Sequence, residues 1–222
     1  MQEQLRNVRA KGWTYAGIFP LREDSAGELG SVNERRACEA LRFADDLLAL
    51  EVKPCSIDWV DWRGVERKYS PDAKGTHLSG DKILLEIKPH GWLERMPLQR
   101  AKYEDIGRYL QSRGNVRFGI VEWDWESTLS RNISRLSAYW DTEPGHYAVD
   151  AFDEIGGAEV ALGDIFDRVR KDSWPAVWAA IASQHLTADL TRGRVNRDTM
   201  VSMPGVVYEA VGLGTLVTSW LA

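Results

Sequence analysis

The sequence predicts an α/β fold, a mixed sheet flanked by helices, with a small C-terminal domain of two short helices and a hairpin. Three observations carry this expectation. Apolar residues recur at helical spacing over 31–50 and 98–112. The segments SIDWVDW, VERKY, KILLEIKP and VRFGIVEW have strand character. After Trp125 the pattern changes to polar stretches and short apolar helices. A chain of 222 residues with 44% hydrophobic content can bury one good core and leaves room for a small second one.

In order along the chain, WTYAGIFP (13–20) has the aromatic and β-branched content of a strand, and the polar LREDSAGELG separates it from the first helix. That helix is expected from Ser31 to about Leu50, with Ala37, Leu41, Ala44 and Leu48 at helical spacing and Pro54 forbidding continuation. Ser31 and Glu34 form an S-x-x-E capping box at its start. SIDWVDW and VERKY read as a hairpin turning at Arg63 and Gly64. A Gly-bearing loop from Ala73 to Asp81 then leads into the strand KILLEIKP, ended by Pro89. A second long helix is expected from Leu98 to Ser112, with Tyr103, Ile106 and Leu110 on one face and Gly114 as its stop. The strand VRFGIVEW comes next, so the helix becomes a crossover between two parallel strands.

The stretch ESTLSRNISRLSAYWDTEPGH reads as a connecting helix broken at Pro144 and Gly145, which sets the expected domain boundary. Residues 1–145 then form the first domain, 146–203 the second and 204–222 an apolar docking tail. In the second, helices at Leu162–Arg170 and Trp174–Ser183 precede the turn-rich LTADLTRGRVNRDTMVSM, the outline of a winged helix-turn-helix.

Composition narrows the function classes. With 28 Lys and Arg against 33 Asp and Glu, the net charge of −5 argues against a protein that coats nucleic acid through its overall field. A local basic face suffices for DNA contact. Cys38 and Cys55 form no CxxC pair, the N-terminal residues lack a signal-peptide core, and Glu209 with several glycines interrupts the apolar C-terminal run. A cytoplasmic protein without a membrane span is expected.

The chemistry concentrates in YSPDAKGTHLSGDKILLEIKP. Strand alternation puts Glu86 and Lys88 on one face and Ile83, Leu85 and Ile87 on the other. Phosphodiester hydrolysis needs a cation to neutralise developing charge and a polarised water in line with the leaving oxygen. Asp72 and Glu86 offer hard oxygen ligands for Mg²⁺ or Mn²⁺, the Ile87 carbonyl offers a third, and Lys88 is placed to orient or deprotonate the water. Two carboxylates about 4 Å apart repel by roughly 4 kcal/mol at an effective dielectric near 20, so such a cluster is unfavourable without a cation. Glu34 lies seven and fourteen residues before Leu41 and Leu48, on a face expected to pack on the sheet, where an unpaired acid is out of place. Each reading has a plainer rival: a helix cap for Glu34, and a surface turn with an exposed ion pair for the others.

Around this group, Gln99 and Tyr103 match a Q-x-x-x-Y pattern on one helix face, with Lys102 beside them as a phosphate neighbour. Lys53, Arg63, Arg67, Lys68 and Lys74 offer a basic face for DNA, and His90 directly succeeds the signature strand. His77, His90, His146 and His185 lack zinc spacing, and EWDWE reads as a strand burying one face.

These motifs, a PD and then E-x-K with a helix before and a helix and strand after, resemble the PD-(D/E)xK nucleases, whose fold is restriction-endonuclease-like. More closely, the chain resembles the TnsA family, the endonuclease subunit of heteromeric cut-and-paste transposases. GIFPLRE, SVNERR, YSPD, LLEIKP, RAKYEDIGRYLQSRG and HLTADLTRGRVNRDTMV match that family's segments in order. Leu21 and Arg22 depart from it, standing where a serine and a nearby lysine are usual. The resemblance implies Glu34, Asp72 and Glu86 as metal ligands and Lys88 as the catalytic lysine. It also implies cleavage at transposon 5′ ends beside an integrase-type transposase that cuts the 3′ ends, with an AAA+ ATPase regulator docking on the C-terminal region. Two other expectations stay open at this point: an assembly module that keeps a nuclease fold without its activity, and a stand-alone restriction, repair or phage nuclease.

Overall fold

The computed structural model describes residues 32–54, 56–114 and 116–221. The strand expected over 13–20 and the cap at Ser31 lie outside these residues. The chain forms two compact units, one from 32–38, 46–123 and 217–221, the other from Glu39–Asp45 and Asp124–Leu216. This division falls at Trp123, earlier than the break expected at Pro144 and Gly145.

Helix α1 (Val32–Phe43) begins in the first unit, which continues with β1 (Leu47–Val52), the hairpin β2 (Ile57–Val60) and β3 (Glu66–Tyr69), then β4 (Ala73–His77) and β5 (Lys82–Pro89). A short helix α2 (Trp92–Arg95) and the long α3 (Pro97–Arg113) lead to β6 (Val116–Trp123). The sheet order is β1-β4-β5-β6-β9, where β9 is Ser219–Leu221. It is a mixed sheet, because β5 and β6 run parallel from Lys82 opposite Val116 to Pro89 opposite Trp123, and the other pairs are antiparallel. Helix α3 makes the expected crossover, with Pro97 in its first turn where a missing N–H costs nothing.

Two expected boundaries are corrected. The helix stops at Phe43 rather than near Leu50, because Leu47–Val52 pairs antiparallel with β4. Leu47 is fully buried and Leu50 nearly so, whereas Leu48, which continued the helical spacing, is 36% exposed. The loop expected over Ala73–Asp81 is mostly strand β4. Its Gly75 marks a close approach rather than a turn: a Cβ there would sit 2.6 Å from Leu47 Cδ1, so the Leu47 side chain of β1 packs directly over the bare glycine.

One face of the sheet carries a core of Trp59, Tyr69, Leu84, Leu93, Tyr103, Ile106, Leu110, Phe118 and Ile120. Tyr103, Ile106 and Leu110 come from one side of α3, as their spacing predicted. The chain's last residues close the far edge of the sheet, β9 pairing with β6 from Phe118 to Ile120. They pack too closely for side chains at two places: a Cβ on Gly107 would lie 2.8 Å from the Leu221 carbonyl oxygen, and one on Gly119 2.9 Å from Val217 Cγ1. Part of the expected docking tail is thus a sheet strand.

The second unit holds α4 (Thr128–Leu136), α5 (Tyr147–Ile155), β7 (Val160–Ala161), α6 (Leu162–Arg168), α7 (Trp174–Ala182), β8 (Met200–Val201) and the one-turn helix α8 (Leu213–Leu216). The connecting helix expected before residue 145 is α4, capped by the Ser127 side chain on the Ser130 N–H. The C-terminal hairpin is reduced to one bridge between Thr187 and Ser202, while β8 pairs with β7 across the intervening helices. No helix among the described residues is long and apolar enough to cross a membrane.

Candidate active site

The site forms where β4 and β5 part. The last β4 pair is Ala73 with Leu85, so beyond it β5 carries Glu86, Ile87 and Lys88 past the start of β4, and Asp72 stands beside them. With no strand residue left to meet it, the Ile87 N–H donates to Asp72 Oδ2 at 2.8 Å. A strand residue projects its N–H and C=O to the same edge, so the Ile87 carbonyl also lies on the Asp72 side. Pro71, buried before Asp72, fixes the turn from the hairpin into β4.

Glu86 is 5% exposed, yet it is a carboxylate, and three donors serve it. Lys88 Nζ and the Tyr103 hydroxyl reach Oε1, each at 2.5 Å, and the Tyr69 hydroxyl donates to Oε2. Lys88 Nζ also lies 3.9 Å from Asp72 Oδ2, so one ammonium serves two acids. It stands near the faces of Trp92 and Tyr103, at 5.5 and 5.8 Å from their centroids, within cation–π range.

The electrostatics show what this packing costs. Burial, reinforced by the Glu86 charge and by Glu34, pushes the Asp72 carboxyl up to about 6, against the opposing pull of the Ile87 N–H and Lys88. The Tyr69 and Tyr103 phenols are raised well above their ordinary range by burial and by Glu86, so both are proton donors at neutral pH. Half-buried Glu34 on α1 therefore acts on Asp72 through its charge.

The oxygen donors suit a hard divalent cation: the Asp72 and Glu86 carboxylates on either side of Lys88, Glu34 acting on Asp72 electrostatically, and the Ile87 carbonyl on the Asp72 side. Among the described residues no group of three His, Cys, Asp or Glu side chains gathers in ligand geometry. Lys88 supplies the positive charge between Asp72 and Glu86.

The other expected residues divide. Lys102 is exposed, with Nζ 5.8 and 5.4 Å from the Tyr69 and Tyr103 ring centroids, next to the phenols that hold Glu86. Gln99 is exposed on α3. His90 is exposed after β5, its carbonyl accepting from Arg95. Lys74 pairs with Glu51 at 3.2 Å and Arg67 with Asp61 at 3.2 Å, so two members of the expected basic face are already neutralised. Lys68 is exposed and sits cross-strand from Asp58.

Sequence reasoning missed Tyr69 and took Tyr103 only as part of a pattern. A usable signal was present: Tyr103 shares the inward face of its helix with Ile106 and Leu110, and a buried tyrosine hydroxyl needs an acceptor. No known protein-family model and no curated protein matches the sequence.

Proposed function

We propose that this chain is a metal-dependent DNA endonuclease, the subunit of a cut-and-paste transposase that hydrolyses the phosphodiester at transposon 5′ ends beside a partner cutting the 3′ ends. The observation that supports it best is the convergence of Asp72, Glu86 and Lys88 at the parting of β4 and β5, with Lys88 Nζ 2.5 Å from Glu86 and 3.9 Å from Asp72. The mixed sheet with its parallel β5–β6 pair and crossover helix suits a restriction-endonuclease-like fold. In the second unit, the succession α5, β7, α6, α7, the Thr187–Ser202 bridge and β8 paired back to β7 suits a winged helix.

In this reading Asp72, Glu86 and the Ile87 carbonyl hold Mg²⁺ or Mn²⁺, with Glu34 completing the acidic set. Such a cation would supply Lewis-acid chemistry, polarising a water and offsetting the charge that develops on phosphate. Tyr69 and Tyr103 keep the Glu86 carboxylate in one orientation. Lys88 would orient the attacking water and donate to a phosphate oxygen. Lys102 beside the phenols is placed for a phosphate oxygen. An integrase-type transposase and an AAA+ ATPase are the proposed partners.

The test is strand-specific nicking of transposon-end duplex in Mg²⁺, in the presence of the partner proteins. Asp72→Ala, Glu86→Gln and Lys88→Ala should each lower 5′-strand cleavage by at least about 100-fold. Undiminished cleavage by Asp72→Ala and Lys88→Ala would remove the site. Full cleavage by the wild-type chain without partners would favour a stand-alone nuclease.

One observation favours a second reading, an assembly module that binds DNA and keeps the nuclease fold: Lys88 pairs directly with Glu86, and no three-acid ligand group forms among the described residues. That reading requires that divalent cations do not bind at Asp72 and Glu86.

A further inference from the structure

Glu122 is an acid where the pattern of its strand calls for an apolar residue. Alternation along β6 puts Phe118, Ile120 and Glu122 on one face, and the first two are buried in the core with Tyr103 and Ile106 of α3. The parallel register sets Glu122 opposite Lys88. An acid and a lysine so placed on neighbouring strands ordinarily pair with each other. Here both are engaged elsewhere: Lys88 Nζ meets Glu86 at 2.5 Å and Asp72 at 3.9 Å, while Glu122 Oε1 accepts from the Leu93 N–H at 2.6 Å. Glu122 projects from a tied backbone, because its N–H donates to Thr218 Oγ1 at 3.0 Å and the Thr218 N–H donates to the Ile120 carbonyl at 2.9 Å.

The Leu93 N–H belongs to a segment with no cap of its own. Beyond Pro89 the chain turns at Gly91, where φ is +69°, a conformation that glycine adopts without strain, and enters α2. Gly91 stands at the N-cap without a side chain, so the N–H groups of the first turn need an acceptor from outside the helix. Glu122 supplies one from β6, and Arg95 Nη2, donating to the His90 carbonyl at 3.0 Å, closes the segment on itself. Trp92 stands next to the tied amide. Its ring centroid lies 5.7 Å from that of Tyr103 and 5.5 Å from Lys88 Nζ, so the two rings flank the ammonium that meets Asp72 and Glu86.

We infer that Glu122 is a positioning residue for Lys88: by holding the Leu93 N–H it fixes α2, and through the Trp92 indole it keeps the Lys88 ammonium beside Asp72 and Glu86. In this role it is not a fourth cation ligand. The inference deepens the proposed function by adding the residue that orients its lysine, and it rests on that reading for its catalytic meaning.

The experiment compares Glu122→Ala, Glu122→Gln and Trp92→Ala in the full chain, in EDTA and without DNA. Two rates are read: hydrogen exchange of the Leu93 amide by NMR, and acetylation of Lys88 by an N-hydroxysuccinimide ester by mass spectrometry. Glu122→Ala should speed both by at least about 10-fold, the size expected for losing a strong hydrogen bond. Glu122→Gln keeps an acceptor oxygen and should hold both within about 3-fold of the wild type. Trp92→Ala should speed Lys88 acetylation and leave Leu93 exchange slow. In Mg²⁺-dependent nicking, Glu122→Ala should lower kcat about 10-fold with the half-maximal Mg²⁺ concentration unchanged, and Glu122→Gln should restore it. A Leu93 amide freed by Glu122→Ala while Lys88 acetylation stays at the wild-type rate overturns the inference, as does a glutamine variant as impaired as the alanine one. Mn²⁺ binding weakened about 10-fold by Glu122→Gln would make Glu122 a cation ligand and overturn it equally. If Glu122→Ala does not fold, Trp92→Ala decides, since acetylation that it leaves unmoved removes the link to Lys88. A wild-type chain that never nicks DNA would sink the nuclease reading, while exchange and acetylation still report whether Glu122 positions Lys88.

Discussion

Asp72 has a measurable consequence in the metal-free protein. Its carboxyl is raised from 3.8 to about 6 on folding, chiefly by burial and next by Glu86, so between those pH values the folded chain binds more protons than the unfolded one. Stability contributed here is therefore lost as pH rises from about 4 to about 6, and the loss persists above it. Asp72→Asn can still accept from the Ile87 N–H but carries no charge. In EDTA at pH 8 it should be more stable than the wild type by on the order of 2 to 3 kcal/mol, with the gap closing near pH 4 in chemical denaturation. A variant destabilised at pH 8 would show that Asp72 is held by attraction rather than strained. Tyr69 and Tyr103 are tested by phenylalanine. Each substitution strips a donor from a buried carboxylate, a loss of about 1–3 kcal/mol. The double variant should raise the Mg²⁺ concentration for half-maximal nicking more than kcat falls. A pure loss of folded protein with unaltered metal dependence would reduce the tyrosines to core packing. At this scale Asp72, Glu86 and Lys88 were legible because two-residue alternation fixes which side chains share a face of a strand. The donors to Glu86 were not, because they arrive from β3 and α3, and no local pattern brings those elements together.

Among the elements, the long strands and α3 were legible because their patterns are unbroken: KILLEIKP and VRFGIVEW match β5 and β6 end to end. The errors fell where tertiary pairing overrides local spacing. Leu47–Val52 looked like helix until its partner, itself disguised as a loop by Gly75, was known. The C-terminal strand was unreadable for a related reason, since what recruits it is the bare backbone at Gly107 and Gly119. Gly107→Ala tests that contact. Alanine favours a helix over glycine by about 1 kcal/mol, but here its Cβ meets the Leu221 carbonyl oxygen at 2.8 Å, backbone that must move. The variant should be destabilised by about 1–3 kcal/mol and should speed amide hydrogen exchange at Phe118–Ile120, the residues opposite β9. A net gain in stability with unchanged exchange would mean that β9 yields without cost.

For the whole molecule, a net charge of −5 would leave the proposed DNA affinity to local cations. In the first unit Lys102 is exposed beside the site, while Lys74 and Arg67 are paired with acids of their own. The proposed catalysis would rest on something narrower than affinity: Asp72 and Glu86 as cation ligands, with Lys88 lying between their charges in the structure. The most direct measurement is Mn²⁺ binding by calorimetry, on the wild-type chain and on the Asp72→Asn, Glu86→Gln and Lys88→Ala variants. Saturable Mn²⁺ binding is expected for the wild type, weakened at least about 10-fold by either acid substitution and strengthened by Lys88→Ala, which removes the competing ammonium. Mn²⁺ binding that is absent from the wild type, or indifferent to Asp72 and Glu86, would contradict the proposal and leave the three residues as a buried ion pair in an assembly protein.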